Sequence, residues 1–278
     1  MTSFHYQTQA NDETIEHLLR QKWQAGKKTV HLMRMAKSVT DTDGEPIDWR
    51  DPLPQGTMLH FTMPEAVSNY VEEENNLPIV YEDEHILVVN KPAGMDTHPD
   101  GQRGTGTVMN RIMHYVRNNG SDYAEHIHRL DKGTAGLILI AKHPIAKTLF
   151  DRMLANNEIE RMYTAELDGY LKKSKGTLSY PIGRDRSHPT RRRVSVSGQR
   201  AVTHFKVIKR SEDTTIVEAS LETGRTHQIR VHFSHIGHPV KGDTVYEGSI
   251  TEDGQYRLTA TKISFRHPFT EQPATIEI

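Results

Sequence analysis

The run Leu137-Ile138-Leu139-Ile140-Ala141 constrains this chain most, because it is entered abruptly from the polar segment His128-Arg129-Leu130-Asp131-Lys132-Gly133-Thr134-Ala135-Gly136. A short, apolar, β-favouring run reads as a strand held in a sheet, and the Gly and Thr residues before it suit a tight turn. An acid at the mouth of such a strand sits on rigid backbone and can be aimed. Asp131 is therefore a candidate nucleophile. Its alternative role is a turn cap, the common fate of an Asp beside Lys-Gly-Thr.

A chain of 278 residues without a twenty-residue apolar run reads as a soluble protein with one sizeable core and a small appended module. No membrane partner is expected. The start Met1-Thr2-Ser3-Phe4-His5-Tyr6 lacks the basic head and apolar centre of a secretory signal. The absence of Cys removes disulfides, thiolate catalysis and Cys-zinc sites together, and a reducing cytoplasm is the expected location. Net charge is −1, so a nucleic-acid partner has to be argued from local basic clusters.

Residues 1–65 read as a small α/β unit. Ile15, Leu18 and Leu19 have helical spacing within Thr14 to Trp23, and Val30 to Met35 suggests a second helix. A turn at Asp43-Gly44-Glu45-Pro46 and a strand within Gln55 to Phe61 follow. Residues 66–78 are polar, acidic and flanked by Pro64 and Pro78, the composition of a linker with little to bury. Residues 79–278 form the main domain. Helices are expected at Val108 to Val116 and Ala146 to Ala155, and strands at Tyr163 to Leu167, Ala201 to Ile208, Ile216 to Leu221 and His227 to Phe233. Mixed order without regular βαβ alternation indicates an α+β fold.

The His-Arg-Leu-Asp block at 128–131 resembles the signature of the RluA-type pseudouridine synthases. The similarity extends through Ile79 to Gly94, Arg161-Met162-Tyr163-Thr164-Ala165, Gly224 to His232 and Gly237 to Asp243, all in the expected order. It spans residues 79 to 268, and several ordered blocks are far more specific than one short pattern. The resemblance implies a bent, mainly antiparallel mixed sheet with flanking helices and a central cleft. It also implies an S4-like RNA-binding module in front, here with Asp41-Thr42-Asp43-Gly44 in place of the usual compact turn. The basic helix of that module is reduced to Lys27, Lys28, Arg34 and Lys37, which leaves a working module and a degenerate one both open.

The implied activity is isomerisation of uridine to pseudouridine in structured ribosomal or transfer RNA, by a monomer without metal or cofactor. The N1–C1′ bond breaks, the base turns, and C5 rejoins C1′. Asp131 supplies the anion near C1′, either by attacking it or by removing the 2′ proton. The match gives Arg230 the part of its cationic partner, against an ordinary structural ion pair. Tyr163 corresponds to a tyrosine whose ring stacks on uracil and whose phenol assists at C5, against a plain core tyrosine. Arg161 stands where the family commonly has Lys. Arg129 matches a residue that enters the stack vacated by the flipped uridine, or it clamps phosphate.

Arg225, His227 and Gln228 belong to the same block as Arg230 and are expected to meet substrate. On a strand, Arg225 and Arg230 would face opposite sides, leaving Arg225 for phosphate. Arg184, Arg186, Arg191, Arg192, Arg193 and Arg200 form a basic region that is either RNA-facing or simply solvated.

Two rivals have support in the residues. Seventeen His residues, with His126 and His128 paired and His227, His232, His235 and His238 close together, invite a metalloenzyme. No His-Glu-x-x-His helix appears, however, and His227 and His232 would point apart on a strand. The Gly-rich stretch Gly101 to Thr107 lacks the Gly-Lys-Ser/Thr ending of a nucleotide loop and reads as a turn. A non-catalytic RNA-binding or assembly protein on the same fold is the alternative function. Joint presence of Asp131, Tyr163 and Arg230 argues against it.

Overall fold

A computed structural model describes residues 2–64, 66–74, 76–100 and 104–278. The stretch read as a turn at Gly101 to Thr107 lies partly outside them. At the N-terminus come β1 (Ser3–Gln7), α1 (Ile15–His17), α2 (Lys27–Met35), β2 (Val39–Thr40) and β3 (Met58–Thr62). β3 pairs antiparallel with β1 and with β2. The helix expected over Thr14 to Trp23 starts as α1, capped by the Thr14 hydroxyl, and then widens into a π-helical turn at Leu18–Lys22. β1 went unread in the sequence because its only signal is the alternation of Phe4 and Tyr6 in five residues; both are buried.

The main sheet is built from β4 (Ile79–Glu82), β5 (Ile86–Lys91), β6 (Glu125–His126), β7 (Ala135–Ala141), β8 (Ile159–Asp168), β9 (Lys175–Leu178), β12 (Thr203–Arg210), β13 (Thr214–Leu221), β14 (Leu258–Arg266) and β15 (Pro273–Glu277). Its central path runs β4-β5-β7-β14-β8-β13-β12-β9. Between these strands lie α3 (Val108–Asn118), α4 (Pro144–Ala155) and α5 (Gln228–His235), and a separate hairpin of β10 (Ile182–Arg184) and β11 (Arg192–Val194). β7 and β14 run parallel; every other ladder among the described residues is antiparallel. The result is a mixed α+β architecture.

The apolar run that opened the sequence reading is β7, buried on both faces. Leu137, Leu139 and Ala141 face a cluster that includes Phe4, Trp23 and Phe61 of the N-terminal sheet together with Ile145 and Leu149 of α4. Ile138 and Ile140 face Val108, Ile112 and Met113 of α3. Two covered faces explain why the strand carries no polar alternate. At its start Gly136 has φ +110°, and a Cβ there would meet the Ala260 carbonyl oxygen at 2.2 Å. Only glycine lets β14 approach that closely.

Two readings of the chain need correction. His227 to Phe233 is not a strand, since α5 occupies residues 228–235. The alternation of Ile229, Val231 and Phe233 with polar residues looked two-fold, but Gln228, Arg230 and His232 are buried too. Each has internal partners, so burial does not follow hydrophobicity there. The acidic stretch before β4 is also bound closely rather than loosely. Ser68 is buried, its N–H donating to the Asp122 carbonyl and its hydroxyl to the Ala124 carbonyl. These bonds, together with Ala66 and Leu77 buried in the two main apolar clusters, fix it.

Where the N-terminal sheet meets the main sheet, Phe4 stacks on His143 at 4.2 Å and Phe269 stacks on His85 at 3.8 Å. His143 Nδ1 accepts from the Ala146 N–H, so His143 Nε2–H donates to His85 Nδ1 at 3.0 Å and both rings are neutral. Burial lowers the pKa of His85 to about 4, with Asp83 opposing, and holds His143 well below its ordinary value. Unfolded, these rings take up protons near pH 6.5. The unfolded state therefore binds more protons between pH 6.5 and 4, and acid favours unfolding there. Denaturant unfolding is expected to show stability falling over that window, by about 2 kcal/mol at pH 5 from His85 alone. Equal stability at pH 7.5 and pH 5 would contradict this protonation scheme.

Candidate active site

Asp131 lies in the turn leading to β7, where its carbonyl accepts from the Thr134 N–H at 3.0 Å. Lys91 holds this turn from below. It is fully buried at the end of β5, and its ammonium donates to the carbonyls of Pro92, Met95 and Lys132 at 3.0, 2.7 and 3.0 Å. Burial lowers its pKa to about 8, while Asp96 and Asp131 act in the opposite sense. Lys91 belongs to a motif block, but one lysine in an apolar strand gave no sign of this role.

The Asp131 carboxylate faces Arg230. Arg230 Nη1 donates to Asp131 Oδ2 at 3.1 Å, while Nε and Nη2 donate to Asp243 Oδ2 and Oδ1 at 2.6 and 2.9 Å. The guanidinium lies over the rings of Tyr246 and Tyr256, 4.9 and 4.6 Å from their centroids. Burial works against its charge, but the bonds to Asp243 and the neighbouring Tyr256 and Asp131 outweigh it and raise the pKa above the ordinary guanidinium value. Arg230 is therefore a fixed cation with two carboxylates in its fork. Asp243, Tyr246 and Tyr256 were not picked out from the sequence; only the spacing of the Gly237 to Asp243 block hinted at the first.

His227 precedes α5 with φ +60°, a left-handed conformation uncommon for a non-glycine residue. That conformation brings Nε2 to 3.9 Å from Asp131 Oδ2, while Nδ1 lies 2.8 Å from the Tyr246 hydroxyl. Burial lowers its pKa, with Asp131 opposing. Tyr163 on β8 is 5 % exposed, and burial raises its pKa, so it presents a ring and a protonated phenol at neutral pH.

Asp131, Tyr163, Arg230, Arg129, Arg225 and His227 line one cavity of about 610 Å³. Arg129 is exposed at its rim, its Nη1 donating to His98 Nε2 at 2.9 Å. Arg225 is also exposed; it lies in the loop before α5, and its Nε donates to the Arg200 carbonyl at 3.0 Å. The opposite-face argument for Arg225 and Arg230 therefore fails with the strand, and the two share the cavity. Gln228 differs from expectation. Its carbonyl accepts from Thr223 and the Arg225 N–H, and its amide donates to Val202 and Thr203, so no hydrogen-bonding group is free for a ligand. It fixes the Arg225 loop to β12.

The histidines that suggested a metal do not converge. His232 is buried between Thr203 and the Tyr180 carbonyl, and His238 bonds the Asp168 carbonyl. Among the described residues no group of three or more His, Asp and Glu side chains is arranged to hold a metal ion. No helix among them is long and apolar enough to cross a membrane.

The sequence and fold agree with one family. The model described as RNA pseudouridylate synthase matches residues 85–235, and that of the RluD ribosomal pseudouridine synthase N-terminal domain matches residues 2–59. The uncharacterized RNA pseudouridine synthase YhcT of Bacillus subtilis is 47% identical over 208 residues, covering 74% of this chain and 69% of that protein. Ribosomal large subunit pseudouridine synthase D of Pseudomonas aeruginosa is 40% identical over 208 residues, covering 74% and 65%. Among solved structures, human RNA pseudouridylate synthase domain containing 1 superposes with a TM-score of 0.61 at 25% identity, over 73% of this chain and 83% of that one. This chain belongs to the RNA pseudouridylate synthase family and is an RNA-modifying isomerase.

Replacing Asp243 by Ala is expected to leave Arg230 buried against a single carboxylate. Loss of one partner from such a pair costs about 3–5 kcal/mol, and the freed guanidinium should turn toward Asp131. Chemical denaturation should register the first effect, and a fall in single-turnover rate the second. Wild-type values for both would remove Asp243 from the site.

Proposed function

We propose that this enzyme isomerises specific uridines in structured ribosomal or transfer RNA, with Asp131 acting at C1′ or on the 2′ proton after the nucleotide is flipped into the cavity. The observation that carries this reading is the Asp131 carboxylate on the cavity wall, 3.1 Å from a fully fixed Arg230. Asp243 takes the two shorter bonds of that guanidinium, which leaves Asp131 only partly neutralised and still able to react. Tyr163 supplies a surface for the base, Arg129 fills the vacated stack, and Arg225 meets phosphate at the rim. His227 stands beside the reacting carboxylate, and Gln228 acts as a positioning residue. Relatives named for the ribosomal large subunit favour ribosomal RNA as substrate.

The working unit is a cytoplasmic monomer divided into a module at 1–65, a connection at 66–78 and a catalytic domain at 79–278. The match of residues 2–59 to the RluD N-terminal domain agrees with an S4-like module at this position. Bond cleavage and rejoining need neither a Lewis acid nor an activated water, so no metal takes part. Asp131→Asn keeps shape but removes the anion. Pseudouridine formation is expected to vanish in this variant while RNA affinity stays within a few-fold, and the wild type should turn over fully in excess EDTA. Turnover near the wild-type rate by the Asn variant would remove Asp131 from the mechanism, whereas RNA binding without turnover by the wild type would favour a non-catalytic role for the fold.

Arg184 pairs with Arg192, and Gly183 with Arg193, in the β10–β11 hairpin, which puts the basic stretch on an ordered ribbon. Neutralising Arg191, Arg192 and Arg193 together is expected to flatten the salt dependence of RNA binding, the log–log slope changing by about 0.7 per lost contact to single-stranded phosphate. Three contacts would give about two units, with the single-turnover rate at saturating RNA unchanged. An unchanged slope would make the hairpin an ordinary solvated surface.

A further inference from the structure

Arg161 is 8 % exposed and lines the active cavity, yet among the described residues its guanidinium makes no salt bridge and no hydrogen bond, and its Nε is buried without a partner. A buried guanidinium left unpaired is costly, so such a group points to a ligand. A second unpaired donor lies in the same wall. His128 Nε2 accepts from the Leu139 N–H at 3.2 Å, which puts the proton of the neutral ring on Nδ1, and Nδ1 is buried with no acceptor. Burial and then the nearby Arg161 keep this ring from protonating. Arg161 and Tyr163 are two residues apart on β8 and project to the same face. Glycine at 224 leaves room beside the guanidinium, since a Cβ there would lie 3.4 Å from Nη1. The buried Arg161 and His128 thus add donors to a lining that also carries the Asp131 carboxylate, whereas the exposed Arg129, Arg200 and Arg225 stand at the rim. Depth suits a base and the rim suits phosphates.

We propose that Arg161, with His128 beside it, receives a carbonyl oxygen of the target uracil and stabilises the charge that the base carries during isomerisation. This rests on the assignment of Asp131 as the group acting at the sugar. When the N1–C1′ bond breaks, its electron pair leaves with the base, while C1′ bonds to the Asp131 carboxylate or the 2′ proton passes to it. The uracil anion spreads this charge over N1, O2 and O4. The C5–C1′ bond then forms as the Asp131–C1′ bond breaks back to the carboxylate or, on the other route, as Asp131 returns its proton to C2′; the proton on C5 departs and N1 gains one, so atoms and electrons balance without any further reactant. To bring C5 to C1′ the ring turns half a revolution about the line through N3 and C6. That turn exchanges N1 with C5 and O2 with O4. One donor wall therefore serves both halves of the reaction, because O4 arrives where O2 had been. Cytosine would bring its amino group to the same donors after the turn and be rejected.

The test is a series of Arg161 variants assayed by single turnover at saturating RNA, with RNA affinity and thermal stability measured on each. Arg161→Met is expected to slow the reaction by about 10²–10³-fold, the usual effect of removing one preorganised donor to a developing anion. RNA affinity should stay within about two-fold, since the contact strengthens only as charge develops. Arg161→Lys should recover part of the rate and Arg161→Gln less. If the Met variant does not fold, the Lys and Gln variants carry the comparison. Wild-type rates in the folded variants overturn the proposal, and so does a loss confined to RNA affinity, which would make Arg161 a phosphate contact. Asp131→Asn assayed in parallel separates the two claims: turnover by that variant removes the underlying assignment, whereas an inactive Asn variant beside a normal Arg161 series removes only this inference.

Discussion

The site depends on one guanidinium shared by two acids. Arg230 donates three hydrogen bonds, two to Asp243 and one to Asp131, and its guanidinium lies over the rings of Tyr246 and Tyr256. With His227 neutral, the group of four carries one surplus negative charge, and it falls on the more exposed carboxylate, Asp131. A lysine could not reproduce this. One ammonium lacks the planar fork that grips Asp243 on one side and leaves a single donor for Asp131 on the other. The chemistry asked of Asp131 thus depends on α5, the loop carrying Asp243 and the turn before β7 arriving together.

Those elements arrive together because β7 is buried on both faces and β8 is paired along both edges. β7 has clusters above and below it, and β8 lies between β13 and β14. The Lys91 ammonium ties three loop carbonyls around the Asp131 turn, a polar clamp in an otherwise apolar layer. Such a clamp fixes backbone direction in a way that packing alone does not.

Much of this was legible in the chain. Asp131, Tyr163 and Arg230 were found from their motif blocks, and all three line the cavity; α3, α4 and β13 followed from periodicity. α5 was misread because polar residues on its inward faces have internal partners, so hydrophobic period no longer reported burial. Gln228 was expected at the substrate for a similar reason: sequence shows a polar side chain but not whether its hydrogen bonds are already made. Asp243, Tyr246, Tyr256 and Lys91 act only through contacts with residues distant along the chain, and no local pattern announces such contacts. Arg161 stood out in the sequence only as an Arg where the family commonly has Lys, and its side chain's lack of a partner is visible only in three dimensions.

The interface of Phe4, Trp23 and Phe61 with His85, His143 and Phe269 has a consequence for how the molecule comes apart. These residues join the N-terminal sheet and β7 in one continuous cluster, with no solvent layer between the two bodies. Opening either body strips the cover from the other. The two sheets should therefore melt in a single cooperative transition rather than in two steps.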